Sequence, residues 1–228
     1  MTKVLLLVGS PRGRISTSTN VGNYILDTIR PNGFETSSLI IRNQLSSEDK
    51  ISEMVKAIDL ADIIILTAPL FDDCQPYIVI KTMEIIFEKK MQLEGKKFIP
   101  IMNCGFPEPN QITAVAIPIY RKFAETVGLD WFGSLAIGGG QMFHNMQKDS
   151  GKKLDELGKV ANLLLEALNQ ISDALLSNEN YQDIELKILP DFWYTRIMKR
   201  IVTWMNNIGW KRMVEKKGAQ MDAKPYSQ

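Results

Sequence analysis

The chain has 228 residues, of which 45% are hydrophobic and 23% are charged, and its formal net charge is +1. This composition is typical of a globular protein, and the near-neutral charge argues against nucleic acid as a partner. The length suits one α/β domain with an addition.

The two cysteines, Cys74 and Cys104, lie far apart in the sequence and do not have the spacing of metal ligands. We therefore predict no metal site and no disulfide scaffold. The first apolar run is too short for a signal peptide, and no stretch approaches the roughly 20 apolar residues of a membrane span. A cytoplasmic protein is expected.

Apolar runs and helical patterns alternate along most of the chain. Short apolar runs predict five buried strands, at 3–9, 34–42, 62–67, 97–104 and 129–137. Apolar residues at helical spacing predict five helices, at 20–29, 46–58, 77–90, 111–127 and 154–175. Pro118 predicts that the fourth helix is kinked or begins there. The alternation predicts a doubly wound parallel sheet with helices on both faces.

In such a sheet, ligands bind outside the carboxyl ends of the strands. The first loop there leads into a helix N-terminus, where free N–H groups and the helix dipole favour an anion. It is rich in hydroxyls, at Ser10, Ser16, Thr17, Ser18 and Thr19. It lacks the P-loop lysine, and Pro11 and Arg14 replace the further glycines of the dinucleotide motif. The loop suits a monophosphate, although the same residues could simply cap the helix.

The loops after the third and fourth strands, residues 68–76 and 103–111, are the other parts of the candidate site. Each carries an aromatic residue, Phe71 in one and Phe106 in the other, and prolines stiffen the first of them. A rigid apolar loop with free backbone N–H groups suits the edge of a flat heterocycle. The alternative is that both rings only cover the end of the sheet.

Two motifs resemble a known family. The segment Val8-Gly-Ser-Pro-Arg12, with the hydroxyl run after it, is similar to the start of the NAD(P)H-dependent FMN reductases of flavodoxin-like fold. The segment from Ala61 to Phe71, with Pro76 and Lys81 beyond it, resembles that family's second signature. The likeness covers about the first 180 residues in order and spacing. Phe71 stands where the family commonly has tyrosine, and the first loop is longer than usual.

The resemblance implies a three-layer sandwich around a five-stranded parallel sheet, with an FMN-binding domain at 1–180. It assigns the FMN phosphate to the first loop, at Ser10, Arg12, Thr17, Ser18 and Thr19, with Ser16 as a further candidate. It assigns one border of the isoalloxazine to Pro69, Leu70 and Phe71, followed by Asp72. It assigns the other border to Asn103, Gly105 and Phe106.

The implied activity is hydride transfer from NAD(P)H through bound FMN to a small acceptor, such as a quinone, a nitro or azo compound, or free flavin. No catalytic side chain is required, because the cofactor carries the chemistry. The donor stays open between NADH and NADPH, since Arg12 and Arg14 could meet either phosphate. The only histidine, His144, follows the last predicted strand and is either a proton donor or a surface residue. The runner-up is a flavodoxin-like electron carrier that does not use nicotinamide.

Residues 181–228 are predicted to form a helical extension. Within it, 190–217 carries seven basic and two acidic residues, a local charge of +5. An apolar stripe runs along it, at Trp193, Ile197, Ile201, Trp204 and Ile208. The sequence from Asn206 to Gly209 predicts a turn between two helices, packed on their own domain or on a dimer mate. Membrane-surface binding through this basic segment is a third, less favoured alternative.

The predicted helix at 77–90 is apolar on nearly all sides. A helix of this kind is usually covered on both faces. With the sheet on one side and a second subunit on the other, the pattern predicts a homodimer with the flavin near its interface.

Overall fold

The computed structural model describes residues 1–106, 108–140, 142–143, 153–179, 181–187, 196–216 and 218. The chain divides into two compact units, Met1–Ile188 and Leu189–Gln228. The candidate site lies in the first unit.

The described part of the first unit contributes seven strands to one parallel sheet. They are β1 Lys3–Val8, β2 Glu35–Ile40, β3 Ile63–Pro69, β4 Lys97–Asn103, β5 Asp130–Trp131, β6 Leu135–Gly138 and β7 Ile184–Lys187. The order across the sheet is β2-β1-β3-β4-β6-β7, and β5 pairs with the start of β4. If β5 and β6 are counted as one interrupted strand, the first five positions have the order 2-1-3-4-5 of flavodoxin-like folds. The predicted fold class is confirmed.

Helices cover both faces of the sheet. In chain order they are α1 Thr17–Ile29, α2 Ile41–Gln44, α3 Glu48–Leu60, α4 Tyr77–Glu88, α5 Ile117–Val127 and α6 Asn162–Ser177. Alternate side chains of β1 point to opposite faces: Leu6 joins a core with α1 and α6, whereas Leu7 joins one with α3, α4 and α5. These two cores hold the three layers together and keep the carboxyl ends of the strands at one edge.

The sheet differs from the predicted five strands in two places. The predicted strand at 129–137 is interrupted, because Gly133 has φ +138° and its Cα lies so close to Tyr181 that an added Cβ would be 2.6 Å from that residue. The added edge strand β7 continues the sheet past the expected boundary at residue 180. Its four residues, two half-buried and two exposed, give too weak an apolar pattern to be recognised as a strand.

Two helices also differ from their predicted form. The segment Ile112–Ala116 is a π-helix, and α5 begins at Ile117 with Pro118 in its first turn. The missing N–H of Pro118 costs little there, because the first N–H groups of a helix have no intrahelical acceptor. The predicted helix at 154–175 is a 3-10 helix over Leu154–Ala161 followed by α6. Gly158 weakens the α-helical preference of that first part.

In the second unit, α7 runs without interruption over Arg196–Lys216. The turn predicted from Asn206 to Gly209 is therefore wrong. These residues have low helix propensity, but each costs no more than about 1 kcal/mol and none is a proline, so the flanking helix formers override them. Trp193 lies outside the described residues. Within the described ranges, no helix has both the length and the apolar character needed to cross a membrane.

A polar cluster anchors the edge strand at the amino ends of β6 and β7. The Asp183 carboxylate accepts hydrogen bonds from Trp131 Nε1 at 3.0 Å and from Ser134 Oγ at 2.9 Å, and it pairs with Arg121. The Arg121 guanidinium also lies 4.3 Å from the centre of the Trp131 ring. The cluster thus ties the residue before β7 to α5 and to the two halves of the interrupted strand.

Candidate functional site

A cleft opens at the carboxyl ends of β1, β3 and β4. All three predicted loops contribute residues to it. The predicted site residues that line it are Ser10, Arg12, Ser16, Thr17, Ser18, Pro69, Leu70, Phe71, Asn103 and Gly105. Pro11 and Cys104 also line it, although the sequence did not single them out for this role. Three predicted residues, Thr19, Asp72 and Phe106, are not part of this lining.

Two hydroxyls of the first loop serve the loop itself. Ser16 is the N-cap of α1, and its Oγ accepts a hydrogen bond from the Thr19 N–H at 3.2 Å. The Ser16 Oγ and the Thr19 Oγ1 lie 3.0 and 2.8 Å from the Gly13 carbonyl oxygen, to which both donate. Gly13 has φ +69°, a conformation that glycine adopts without strain. The helix-cap interpretation therefore accounts for these two hydroxyls, which close the loop.

Thr17 joins the first loop to the segment that follows β6. Its Oγ1 donates to the Gly140 carbonyl at 3.0 Å, and the Gly140 N–H donates to the Cys104 carbonyl at 2.8 Å. An added Cβ on Gly140 would lie 2.7 Å from the Asn103 Cβ. A fourth segment thus supports the cleft. The glycine run from 138 to 140 is its sequence signal, because close backbone approach requires glycine.

The hydroxyls of Ser10 and Ser18 have hydrogens left for a ligand. Ser10 Oγ accepts from the Arg12 N–H at 3.4 Å, and Ser18 Oγ accepts from Asn103 Nδ2 at 3.0 Å. Within the described chain, neither hydroxyl donates a hydrogen bond in return. Both side chains are buried at the start of α1, whose first N–H groups also lack intrahelical acceptors. Arg12 lies exposed beside them. Neutral donors at a helix N-terminus are a chemically suitable environment for an anion.

The second loop forms a rigid apolar wall. The Leu70 N–H donates to the Asn103 carbonyl at 2.8 Å, and Phe71 and Cys74 exchange two backbone hydrogen bonds of 2.9 and 3.1 Å. Asp72 stands at the tip of this turn with φ +53°. The ring of Phe71 is 52% exposed although it lines the cleft. It therefore offers a flat apolar surface to a ligand.

The third loop begins at Cys104, a buried residue that lines the cleft. Its Sγ donates to the Phe106 carbonyl at 3.3 Å, and the Gly139 N–H donates to the same carbonyl at 2.6 Å. Burial raises the pKa of the Cys104 thiol, so the group is protonated at neutral pH. Phe106 is 61% exposed and stands outside the lining. His144 lies outside the described residues.

The cleft therefore has two chemically different ends. Neutral hydroxyl and N–H donors lie at one end, and a flat apolar wall with backbone groups lies at the other. This donor set fits a phosphate monoester joined to a planar ring, which is the chemical outline of FMN. Within the described part of the chain, no three His, Cys, Asp or Glu side chains come together as a metal site.

No family model matches this sequence, and neither does any curated protein. Solved structures do share its fold. An NADH:FMN oxidoreductase in its apo form has a TM-score of 0.56 at 17% identity, over 78% of this chain and 90% of that one. A putative quinone reductase from Klebsiella pneumoniae has a TM-score of 0.50 at 14% identity, over 79% and 87%. The Trp repressor binding protein from Bacillus subtilis has a TM-score of 0.50 at 14% identity, over 63% and 94%. At these identities the likeness establishes a common fold.

Proposed function

We propose that this protein is an FMN-dependent oxidoreductase that passes hydride from NAD(P)H, through bound flavin, to a small acceptor. The observation that carries the proposal is the meeting of three separate loops in one cleft with an anion end and a flat apolar end. Further support comes from the fold, which is shared with an NADH:FMN oxidoreductase and a putative quinone reductase. The acceptor class we favour is a quinone, a nitro or azo compound, or free flavin.

At the anion end, Ser10, Ser18 and the first N–H groups of α1 would hold the FMN phosphate, with Arg12 beside them. Ser16, Thr17 and Thr19 would act mainly by holding the loop in shape, because their hydroxyls already donate within the protein. Neutral donors at a helix N-terminus stabilise a phosphate without a lysine. The charge of the phosphate would be matched by the helix dipole and by the arginine.

At the apolar end, Pro69, Leu70 and Phe71 would border one edge of the ring system, and Gly105 would border the other. Asp72 and Phe106 follow these residues in the two loops but lie outside the lining of the cleft. When bound, the flavin supplies the hydride chemistry. The apolar loop residues would exclude water from the part of the ring that they contact. Backbone N–H groups of these loops would stabilise negative charge on the reduced ring. No side chain is needed as a general acid.

The test is an absorbance spectrum of the purified protein after incubation with FMN and desalting, followed by anaerobic addition of NADPH or NADH. We expect retained yellow colour that one or both nucleotides bleach. Retained colour that neither nucleotide bleaches would favour a flavodoxin-like electron carrier instead. Carriers of that kind are usually strongly acidic, whereas this chain has a net charge of +1, which favours the reductase. The relative rates with the two nucleotides would also identify the donor.

We further propose that the protein acts as a cytoplasmic homodimer. Exposed aromatic side chains stand near both ends of α4, at Tyr77 and Phe87, while its opposite side is buried against the sheet. A second subunit on this face would cover both rings. Light scattering after size-exclusion chromatography should give twice the 25.8 kDa mass of the chain. A monomer at micromolar concentration would contradict this proposal, and Phe87→Glu should weaken the dimer.

A further inference from the structure

Asn103, the last residue of β4, makes three hydrogen bonds that join separate parts of the cleft. Its Nδ2 lies 3.0 Å from Ser18 Oγ at the start of α1 and 3.2 Å from the Ala68 carbonyl oxygen near the end of β3. Its own carbonyl accepts the Leu70 N–H at 2.8 Å. The side chain is 8% exposed and lines the cleft. One residue thus connects the anion end to the apolar end.

The surroundings determine which way the Asn103 amide points. The Ala68 carbonyl can only accept a hydrogen bond, so the amide atom beside it must be the nitrogen. The amide oxygen is then directed at Gly140, where an added Cβ would lie 3.0 Å from Oδ1. Both hydrogens of the amide nitrogen are used, one by Ala68 and one by Ser18. The nitrogen of Asn103 therefore has no hydrogen left for a ligand.

The same geometry fixes the role of the Ser18 hydroxyl. Because Ser18 Oγ accepts from Asn103, its own hydrogen must point away from the amide. Ser18 is 2% exposed, lines the cleft and donates to no group of the described chain, so this hydrogen can be directed only at what occupies the cleft. A serine without such a partner could instead turn its hydrogen toward a protein carbonyl.

We propose that Asn103 is a positioning residue that holds Ser18 as a hydrogen-bond donor to a phosphate monoester. It acts on the anion end through Ser18. The sequence resemblance had placed Asn103 at the edge of the ring, but its amide nitrogen has no hydrogen left for that contact. This inference rests on the proposed function, since it assigns the phosphate of that ligand to the Ser18 hydroxyl.

The test is a double-mutant cycle on the full chain with Ser18→Ala, Asn103→Leu and the double variant. Flavin fluorescence gives the Kd for FMN and for riboflavin, which has the same ring system but no phosphate. We expect each single variant to weaken FMN binding about tenfold, since hydrogen bonds to charged groups are the strong ones. The double variant should bind FMN no more weakly than Ser18→Ala alone. Riboflavin affinity should stay within about twofold throughout, because the ring contacts are unchanged.

Equal losses for FMN and riboflavin in Asn103→Leu, or additive losses in the double variant, would overturn the inference in favour of a direct ring contact. If Asn103→Leu does not fold, Asn103→Ala takes its place. That variant removes both amide hydrogens without adding a charge, and the same losses are expected, with FMN affected and riboflavin spared.

A second measurement separates this inference from the proposed function. Inorganic phosphate should raise the melting temperature of the wild-type protein, and the rise should be lost in Ser18→Ala and in Asn103→Leu. If the wild type binds no flavin but shows this pattern, the function is wrong and the role of Asn103 stands. If the wild type binds FMN and the cycle is additive, the role is wrong and the function stands.

Discussion

The two ends of the sheet carry polar clusters of opposite character. At the amino end, Trp131, Ser134 and Arg121 all donate to the single Asp183 carboxylate. At the carboxyl end, Ser10 and Ser18 accept hydrogen bonds and keep their own hydrogens. A cluster whose donors all have acceptors serves to stabilise the fold, whereas one with donors directed into a cleft is prepared for a ligand. Variants at the two ends should therefore separate loss of stability from loss of binding.

The largest effect is expected at Gly9, where the carboxyl end is most tightly packed. An added Cβ would lie 2.4 Å from Val79 Cγ2 and 3.1 Å from the Ala68 Cβ. Gly9→Ala should destabilise the protein by about 2 kcal/mol through overpacking. The control is Gly209→Ala inside α7, where an added Cβ would have no atom within 4 Å apart from the backbone of its own helix, so alanine should be neutral or stabilising. Equal melting temperatures for the two variants would contradict the packing argument.

Two serines of the first loop provide a sharper comparison. Ser16→Ala removes the α1 cap and should lower the free energy of unfolding by about 1 kcal/mol, with a smaller effect on FMN affinity. Ser18→Ala should cause the larger loss of FMN affinity, and it also costs some stability because one amide hydrogen of Asn103 loses its acceptor. Urea denaturation and flavin fluorescence on the same samples measure both quantities. If Ser16→Ala and Ser18→Ala weakened FMN binding equally, the distinction between a hydroxyl that donates within the loop and one that donates into the cleft would be wrong.

At the amino end, the effect of Asp183→Asn should depend on pH. Partial burial by itself would raise the pKa of the Asp183 carboxyl, but the three hydrogen bonds and the guanidinium charge lower it below its usual value. A carboxyl with a lowered pKa stabilises the fold above its unfolded-state pKa of about 4, and this stabilisation is lost as the pH falls through the folded-state pKa.

The carboxylate is 38% exposed, so solvent reduces the charge contribution, and Asp183→Asn should cost about 1 kcal/mol at pH 7. The difference in melting temperature between wild type and variant should shrink as the pH is lowered from 7 to about 3. If the difference in melting temperature stayed constant over this range, the stabilisation by Asp183 would not depend on its negative charge. FMN affinity should be the same in both proteins.

The smallest effect concerns Cys104 at the floor of the cleft. Because burial raises the pKa of this thiol, it should react slowly with iodoacetamide at pH 7 and faster as the pH rises. Mass spectrometry of a Cys74→Ser variant would follow this one site. Bound FMN should slow the reaction further by covering the cleft. Rapid modification at pH 7 would mean that the thiol is not buried as the structure shows.

Much of the fold could be predicted from the sequence, because the buried strands are continuous apolar runs. Ile63–Pro69 is an example, since all but its last residue are buried. The edge strand Ile184–Lys187 could not be predicted, because none of its residues is fully buried and it is a strand only through its pairing with β6. The continuity of α7 could not be predicted either, because Asn206, Asn207 and Gly209 have low helix propensity and only the helix formers on both sides outweigh them.

The residues of the cleft could be found from the sequence, but their roles could not. The four consecutive hydroxyl residues at positions 16–19 look alike in the sequence, and whether each one serves the loop or the cleft depends on where its hydrogen points. That direction is set by distant groups, such as Gly140 for Thr17 and Asn103 for Ser18. Contacts between residues so far apart in the chain have no signal in a single sequence.

The edge strand β7 has a consequence for shortened forms of this protein. All four residues of its neighbour β6, Leu135–Gly138, are buried, whereas β7 alternates half-buried residues with exposed Glu185 and Lys187. Charged residues on an edge strand discourage pairing with other molecules. A protein cut after residue 180 would expose an apolar strand edge and should aggregate. One cut after residue 188 would keep the charged edge and should stay in solution.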